Sequence, residues 1–247
     1  MTIQRSLDLI VFHRSRTMQC PYIDGEEETQ LFTELSGVDA QHSYDHLSRN
    51  GFRRSHHIAY RPACRNCHAC VPVRVRADRF EVSRPWRRIM KRNDDLVVTE
   101  VGQRVTGEQY ELFRRYVRSR HDDGDMARMT GRDYFDMVIA SPVETTLFEF
   151  RTPEGALIAV CLADRMSDGY SAVYSFFDPD LTRRSLGSYV ILWLVERARE
   201  NGLPHVYLGF WIESSPKMTY KSRFRPIEGY GPDGWQDLET LARKPGA

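Results

Sequence analysis

The chain has 247 residues, 41% apolar and 28% charged, with a formal net charge of +1. That length buries a sizeable core in one large domain or two modest ones, and the composition excludes a disordered chain apart from the last residues, 243–247. The longest apolar run, 189–195, is far short of a membrane span, and the first 16 residues carry Arg5, Asp8, Arg14 and Arg16 in place of a secretion signal, so a cytoplasmic protein is expected.

In chain order, Asp39 to Asn50 reads as a short helix closed by Gly51, and Phe52 to Tyr60 as a strand ended by Pro62. A cysteine loop follows. Val71 to Val75 alternates as a strand. Ser83 to Arg92 reads as a basic helix, with Ser83 as N-cap and Pro85 in its first turn. Composition shifts at 73–93, which suggests two units: a smaller Cys-containing basic module over 1–93 and a second domain over 94–247.

The second unit is more regular. Leu96 to Val101 is a strand, Gly107 to Arg118 an amphipathic helix, and Tyr134 to Ile139 part of another. Three strands follow, Thr145–Arg151, Leu157–Asp164 and Tyr170–Phe177, joined by turns at Pro153-Glu154-Gly155 and Ser167-Asp168-Gly169. Leu186 to Glu200 is a strong helix closed by Asn201-Gly202, and Val206 to Ile212 is a last strand. Strand, helix, strand at the end implies one parallel crossover. The expected fold class is therefore α/β (α+β): an N-acetyltransferase-like mixed sheet with flanking helices behind the smaller module.

Several constellations carry chemistry. Cys64, Cys67 and Cys70 recur at a spacing of three and can converge on one metal; with Cys20 as a fourth ligand they admit a tetrahedral thiolate site for zinc or an iron–sulfur cluster, the alternative being packed free thiols. Cys161, in an apolar run, reads as a core thiol. Residues 49–92 hold 13 arginines and lysines against two acids, Asp78 and Glu81, which suits a polyanion over one surface. Arg184 and Gly187 fit the phosphate loop of coenzyme A-dependent acyltransferases, but Tyr189 stands where that loop takes Gly or Ala. Lys217 to Pro226 interleaves basic and aromatic residues, as in sites that grip phosphate and stack a base. Arg53, Arg54, His56 and Arg61 cluster beside the cysteine loop and can present cations to an acidic side chain.

Taken together, Cys20-Pro21-Tyr22, Gly51-Phe52-Arg53-Arg54-Ser55, Tyr60-Arg61-Pro62-Ala63-Cys64, Val71 to Val75, Phe177-Asp178-Pro179, Tyr207 to Ile212 and Met218, Tyr220, Lys221, Phe224 and Pro226 resemble the arginyl-tRNA–protein transferase family. The resemblance runs from about Cys20 to Tyr230, and the short chain with spread cysteines looks like its bacterial aspartate/glutamate leucyltransferase branch. It implies leucyl-tRNA as donor, proteins with N-terminal Asp or Glu as acceptors, a place in the N-degron pathway, and neither membrane nor DNA as partner. Transfer from an activated ester to an α-amine of pKa about 7.7–8.0 requires no cofactor; zinc or iron–sulfur at the thiols would be structural or regulatory. On this reading Arg84, Arg87, Arg88, Lys91, Arg92, Lys217 and Lys221 meet tRNA phosphates, and Arg53, Arg54, His56 and Arg61 meet the acceptor carboxylate. Asp178 accepts a proton or orients the amine, and Tyr220 donates to the oxyanion or the leaving oxygen. The alternatives are the same reaction from arginyl-tRNA, an acetyl-CoA-dependent N-acetyltransferase, and a non-enzymatic nucleic-acid-binding module.

Overall fold

The computed structural model describes residues 10–120 and 125–242, so the expectation for 243–247 lies outside the described residues. The first unit comprises β1 (His13–Arg14), β2 (Met18–Gln19), β3 (Glu27–Glu28), β4 (Gln30–Glu34), α1 (Ala40–Arg49), β5 (Arg53–Ser55), β6 (Ile58–Pro62), β7 (Val71–Arg76) and α2 (Arg84–Arg92). Next come β8 (Val97–Glu100), α3 (Gly107–Arg120), α4 (Gly131–Ile139), β9 (Thr145–Arg151), β10 (Leu157–Met166) and β11 (Gly169–Phe177). The chain continues through α5 (Leu186–Glu200), β12 (His205–Trp211), β13 (Ile227–Gly231), β14 (Gly234–Asp237) and α6 (Leu238–Ala242).

Eight strands form one mixed sheet in the order β14-β13-β7-β12-β11-β10-β9-β8. β11 and β12 pair in parallel across the α5 crossover, and the other pairs are antiparallel. This is the mixed sheet with one parallel crossover expected from the strand–helix–strand order. β10 lies mid-sheet with helices on both faces, which is why its run is apolar rather than alternating. Ile158, Cys161 and Ala163 join the core under α5 and α2, while Leu157, Val160 and Leu162 join the core under α3 and α4. Cys161 is fully buried, and burial pushes its thiol up to about 12.

β7 sits between β13 and β12, inside the large sheet. The division expected between 1–93 and 94–247 is therefore not a division of that sheet. The rest of the N-terminal chain forms a four-stranded sheet, β1-β4-β6-β5, and the small β2–β3 pair. The strand expected over 52–60 is instead a tight hairpin. Ser55 opposes Ile58, and His56 takes φ +51 in the two-residue turn, so the alternation assumed through His56 breaks there.

Candidate functional site

The site is built where the parallel pair comes apart. β11 and β12 pair only at Gly169–Ser171 with His205–Tyr207, and beyond that the edge of β11 that faced β12 has, among the described residues, no partner strand. Residues 172–175 are half-buried. Arg53, reaching across from β5, fills the gap: its Nη2 donates to the carbonyl of Val173 on β11. On the β12 side the guanidinium lies against Gly209, whose φ is +71, and a Cβ there would stand 2.7 Å from Arg53 Nη1. Glycine is needed at this position twice over, for the left-handed backbone and for the approach of the arginine.

Lys221 enters from the turn 219–223. It is 8% exposed, and its Nζ donates to the carbonyl of Phe210 at 2.6 Å. Burial, and then the charge of Arg53, push its pKa down to about 7. Among the described residues no carboxylate pairs with Arg53 or Lys221. Two basic side chains thus share a partly desolvated gap, and among the described residues neither has a carboxylate partner. The neighbouring elements carry aromatic pairs. Tyr60 packs on Phe210 at 5.8 Å, and Tyr116 stacks edge-on to Phe177 at 4.8 Å under the Arg120 guanidinium. The charge of Arg53 also acts on the hydroxyls of Tyr22, Tyr174 and Tyr220.

The other expected acceptor ligands are not brought to this gap. Arg54, next in sequence, points the other way into the core at 2% exposure. It makes a two-pronged ion pair with Asp164 of β10, with Nε and Nη2 each 2.7 Å from a carboxylate oxygen, and its Nη1 donates to the carbonyl of His56. Its donors are spent, so the expected acceptor contact is corrected to a structural one. His56 sits at the hairpin tip with Nδ1 3.2 Å from Ser55 Oγ; burial, and then Arg54, lower its pKa. Arg61 lies over the ring of Phe52, 5.0 Å from its centroid.

The α2 helix presents the expected basic face. Arg84, Arg87, Arg88, Lys91 and Arg92 are exposed, and among the described residues none of them pairs with a carboxylate. The helix is anchored by Trp86, 5% exposed and stacked on Phe224 at 4.7 Å. One buried ring leaves the polar face free, and the stack adds about 0.5–1.5 kcal/mol beyond burial. Arg223 lies over Trp86, and Arg92 donates to the carbonyl of Arg183, so the basic surface extends past α2 on both sides. Lys217 is exposed nearby in sequence. Lys221, expected with this phosphate-facing group, is instead the buried residue of the gap.

Asp178 follows β11, and both its oxygens are engaged: Oδ2 accepts from Arg115 at 2.8 Å and Oδ1 from the backbone N–H of Asp180 at 3.0 Å. That is the work of a loop-fixing carboxylate rather than of a free proton acceptor. Tyr220 remains 39% exposed beside Lys221, and burial of its hydroxyl raises its pKa, which keeps it a donor. At the start of α5 the ring of Phe177 lies 2.9 Å from where a Cβ on Gly187 would stand, and Tyr189 packs in the core against Phe150. Arg184 is tied to Asp95 at 2.8 Å. The loop that would cradle coenzyme A is thus filled by a ring and an ion pair.

Cys20, Cys64, Cys67 and Cys70 are free and half-buried. They are close enough that burial, and then Cys20, Cys64 and Cys67, push the Cys70 thiol up to about 12. Among the described residues no three Cys, His, Asp or Glu side chains converge as a metal site. No chemistry is routed through the expected zinc or iron–sulfur site. A cavity of about 550 Å³ lies elsewhere, against Trp211, Glu213, Ser222, Arg225 and Leu238, and none of the expected site residues lines it. Tyr22, Tyr116 and Tyr174 carry no signal in the sequence that sets them near this gap; Tyr116 has the helical spacing of a core position. Among the described residues, no helix is long and apolar enough to cross a membrane.

The chain is similar to known proteins. A family model described as arginine-tRNA-protein transferase, N terminus, matches residues 18–88, and its C-terminus counterpart matches residues 108–231. The aspartate/glutamate leucyltransferase of Paramagnetospirillum magneticum is 53% identical over 225 residues, 91% of this chain and 92% of that one. The protein of the same name from Rhodospirillum rubrum is 48% identical over 94% of this chain and 95% of its own. The one from Granulibacter bethesdensis is 47% identical over 92% and 85%. Among solved structures, L-PGS from Bacillus licheniformis superposes with a TM-score of 0.49 at 11% identity, over 84% of this chain and 68% of that chain.

Proposed function

The chain belongs to the arginine-tRNA–protein transferase family, and from that premise we propose that it moves leucine from leucyl-tRNA to the N-terminal amine of proteins that begin with Asp or Glu. The observation that carries this reading is Arg53, held beside the buried Lys221 where β11 and β12 part and, among the described residues, paired with no carboxylate. A desolvated, uncompensated cation is costly, and an incoming Asp or Glu side chain supplies the missing charge. Arg53 suits this role because one of its five donors is spent on Val173 and the others remain. The basic face of α2 supplies the phosphate contacts that bring the aminoacyl end of the tRNA to the gap. The donor ester is already activated, so proximity, oxyanion stabilisation and proton transfer suffice. Tyr220, whose hydroxyl stays protonated, stands at the gap to donate to the oxyanion. A leucine so added marks the product for the N-degron pathway that the family implies, and a reaction using charged tRNA places the protein in the cytoplasm.

The test is transfer of labelled leucine or arginine from charged tRNA to peptides starting with Asp, Glu, Lys or Ala. Leucine is expected on the Asp and Glu peptides alone. Arginine on those peptides would replace the donor, and no transfer from either tRNA would remove the reading. Charge reversal by Arg87→Glu with Arg88→Glu is expected to weaken tRNA binding and to flatten its logarithmic salt dependence by about 1–2. An unchanged slope would take these two residues off the tRNA surface.

A further inference from the structure

Four of the chain's 35 basic residues are lysines: Lys91, Lys217, Lys221 and Lys244. Of the three in the described residues, Lys91 and Lys217 are exposed and Lys221 is buried. Buried cations are ordinarily neutralised by a partner, as Arg54 is by Asp164. Lys221 is not. The one hydrogen bond of its Nζ goes to the Phe210 carbonyl at 2.6 Å. From β5 the charge facing it is that of Arg53, a second cation; β12 contributes only that carbonyl, and its own turn contributes Tyr220. A neutral amine keeps an N–H for the carbonyl and leaves its lone pair free, whereas an ammonium here is buried and, among the described residues, faces no carboxylate. Burial and Arg53 favour the neutral form in the same direction. Arginine could not take that form.

We propose that Lys221 is the proton acceptor of the transfer step, drawing the proton that the attacking α-nitrogen sheds and returning it to the departing ribose oxygen. The assignment rests on the reading of the gap as an aminoacyl-transfer site. The α-amine, deprotonated to water, attacks the ester carbonyl carbon. A C–N bond forms, its proton passes to Nζ, the C–O bond to the ribose 3′ oxygen breaks, and that oxygen leaves with the proton from Nζ. The lysine ends neutral, as it began. A phosphate contact would need an exposed ammonium, and a purely structural lysine, which fills the space and donates to the Phe210 carbonyl, would be served by arginine.

The experiment uses the full chain as wild type, Lys221→Arg and Lys221→Met. Single-turnover transfer from preformed leucyl-tRNA to a saturating Asp-starting peptide is followed from about pH 6 to about pH 9, with tRNA affinity measured separately. In parallel, ¹⁵N-labelled lysine resolves the Nζ titrations, and the Lys221 signal is the one missing from Lys221→Arg. The expected result is a Lys221 signal titrating near neutrality and transfer slowed about 10²–10⁴-fold in both variants. tRNA affinity is expected to stay within about two-fold, with one ionisation lost from the acid limb of the rate profile and that of the α-amine left. Wild-type rates in Lys221→Arg, a Lys221 signal that titrates with the exposed lysines, or a rate loss matched by lost tRNA affinity would each overturn the assignment. A wild-type chain that transfers nothing would remove the functional reading itself, a result distinct from a working wild type with an equally active Lys221→Arg.

Discussion

Replacing Arg53 with Met is expected to lower kcat/KM for Asp- and Glu-starting peptides by roughly thirty- to a few-thousand-fold, because truncating one partner of a desolvated charge pair costs about 2–5 kcal/mol. At 4 Å and an effective dielectric constant of about 20, one full charge pair is worth about 4 kcal/mol, so the loss of Arg53 outweighs any single contact on the exposed basic face. The more specific readout is discrimination. Wild type should favour a peptide starting with Asp over the neutral Asn isostere, and Arg53→Met should bring the two together while leucyl-tRNA affinity is kept. Gly209→Ala tests the same geometry with the arginine present. Its Cβ would stand 2.7 Å from Arg53 Nη1 on a backbone of φ +71, so the guanidinium must move. It should fall between wild type and Arg53→Met in the Asp-to-Asn ratio. Undiminished preference for Asp in Arg53→Met would take the carboxylate-binding role from this residue.

The neighbouring arginines show where sequence stops being informative. Strand alternation puts Arg53 and Arg54 on opposite faces. Which face meets an acid of the core depends on Asp164, 110 positions away, and on the hairpin turn at His56. Nothing local marks that turn, since two histidines lack the usual turn chemistry. Lys221 misleads in the same way. Between Lys217 and Arg225 it looks like one more surface cation, and only the depth of the 219–223 turn against β12 buries it. Long periodic elements, from β9 through α5, were legible because one face or both must be apolar along many residues. β13 was not. Gly229 and Gly231 dilute its pattern, and their lack of a side chain is what admits Leu241. Two-residue strands such as β1 and β2 carry too few positions to show any period. The place of β7 inside the large sheet was also hidden, since a shift in composition records charge and not strand order. The basic face of α2 was legible because it needs no partner elsewhere in the chain. The strand gap was not, because it is the absence of pairing between two segments whose sequences both read as good strands.

The second large effect separates the structural arginine from the functional one. Arg54 and Asp164 have no exposed side-chain surface, and Thr145 Oγ1 donates to the same carboxylate at 2.6 Å. Removing one member leaves a buried charge without its counter-ion, so Arg54→Met is expected to lower unfolding stability by about 3–5 kcal/mol, read from urea midpoints at a constant m-value. Removing both members should cost far less, since apolar groups of similar volume replace a buried pair with little loss. Arg54→Met with Asp164→Leu is therefore expected to recover most of the stability. The pair also ties the β5–β6 hairpin to β10, and the hairpin is what delivers Arg53 to the gap. Transfer activity should then follow stability: lost in Arg54→Met, regained in the double variant. An acceptor-binding role for Arg54 predicts the reverse, a double variant that is stable and inactive. Restored stability with restored transfer would leave Arg53 as the arginine of this strand that meets the substrate, with Arg54 holding it in place from the other side of the sheet.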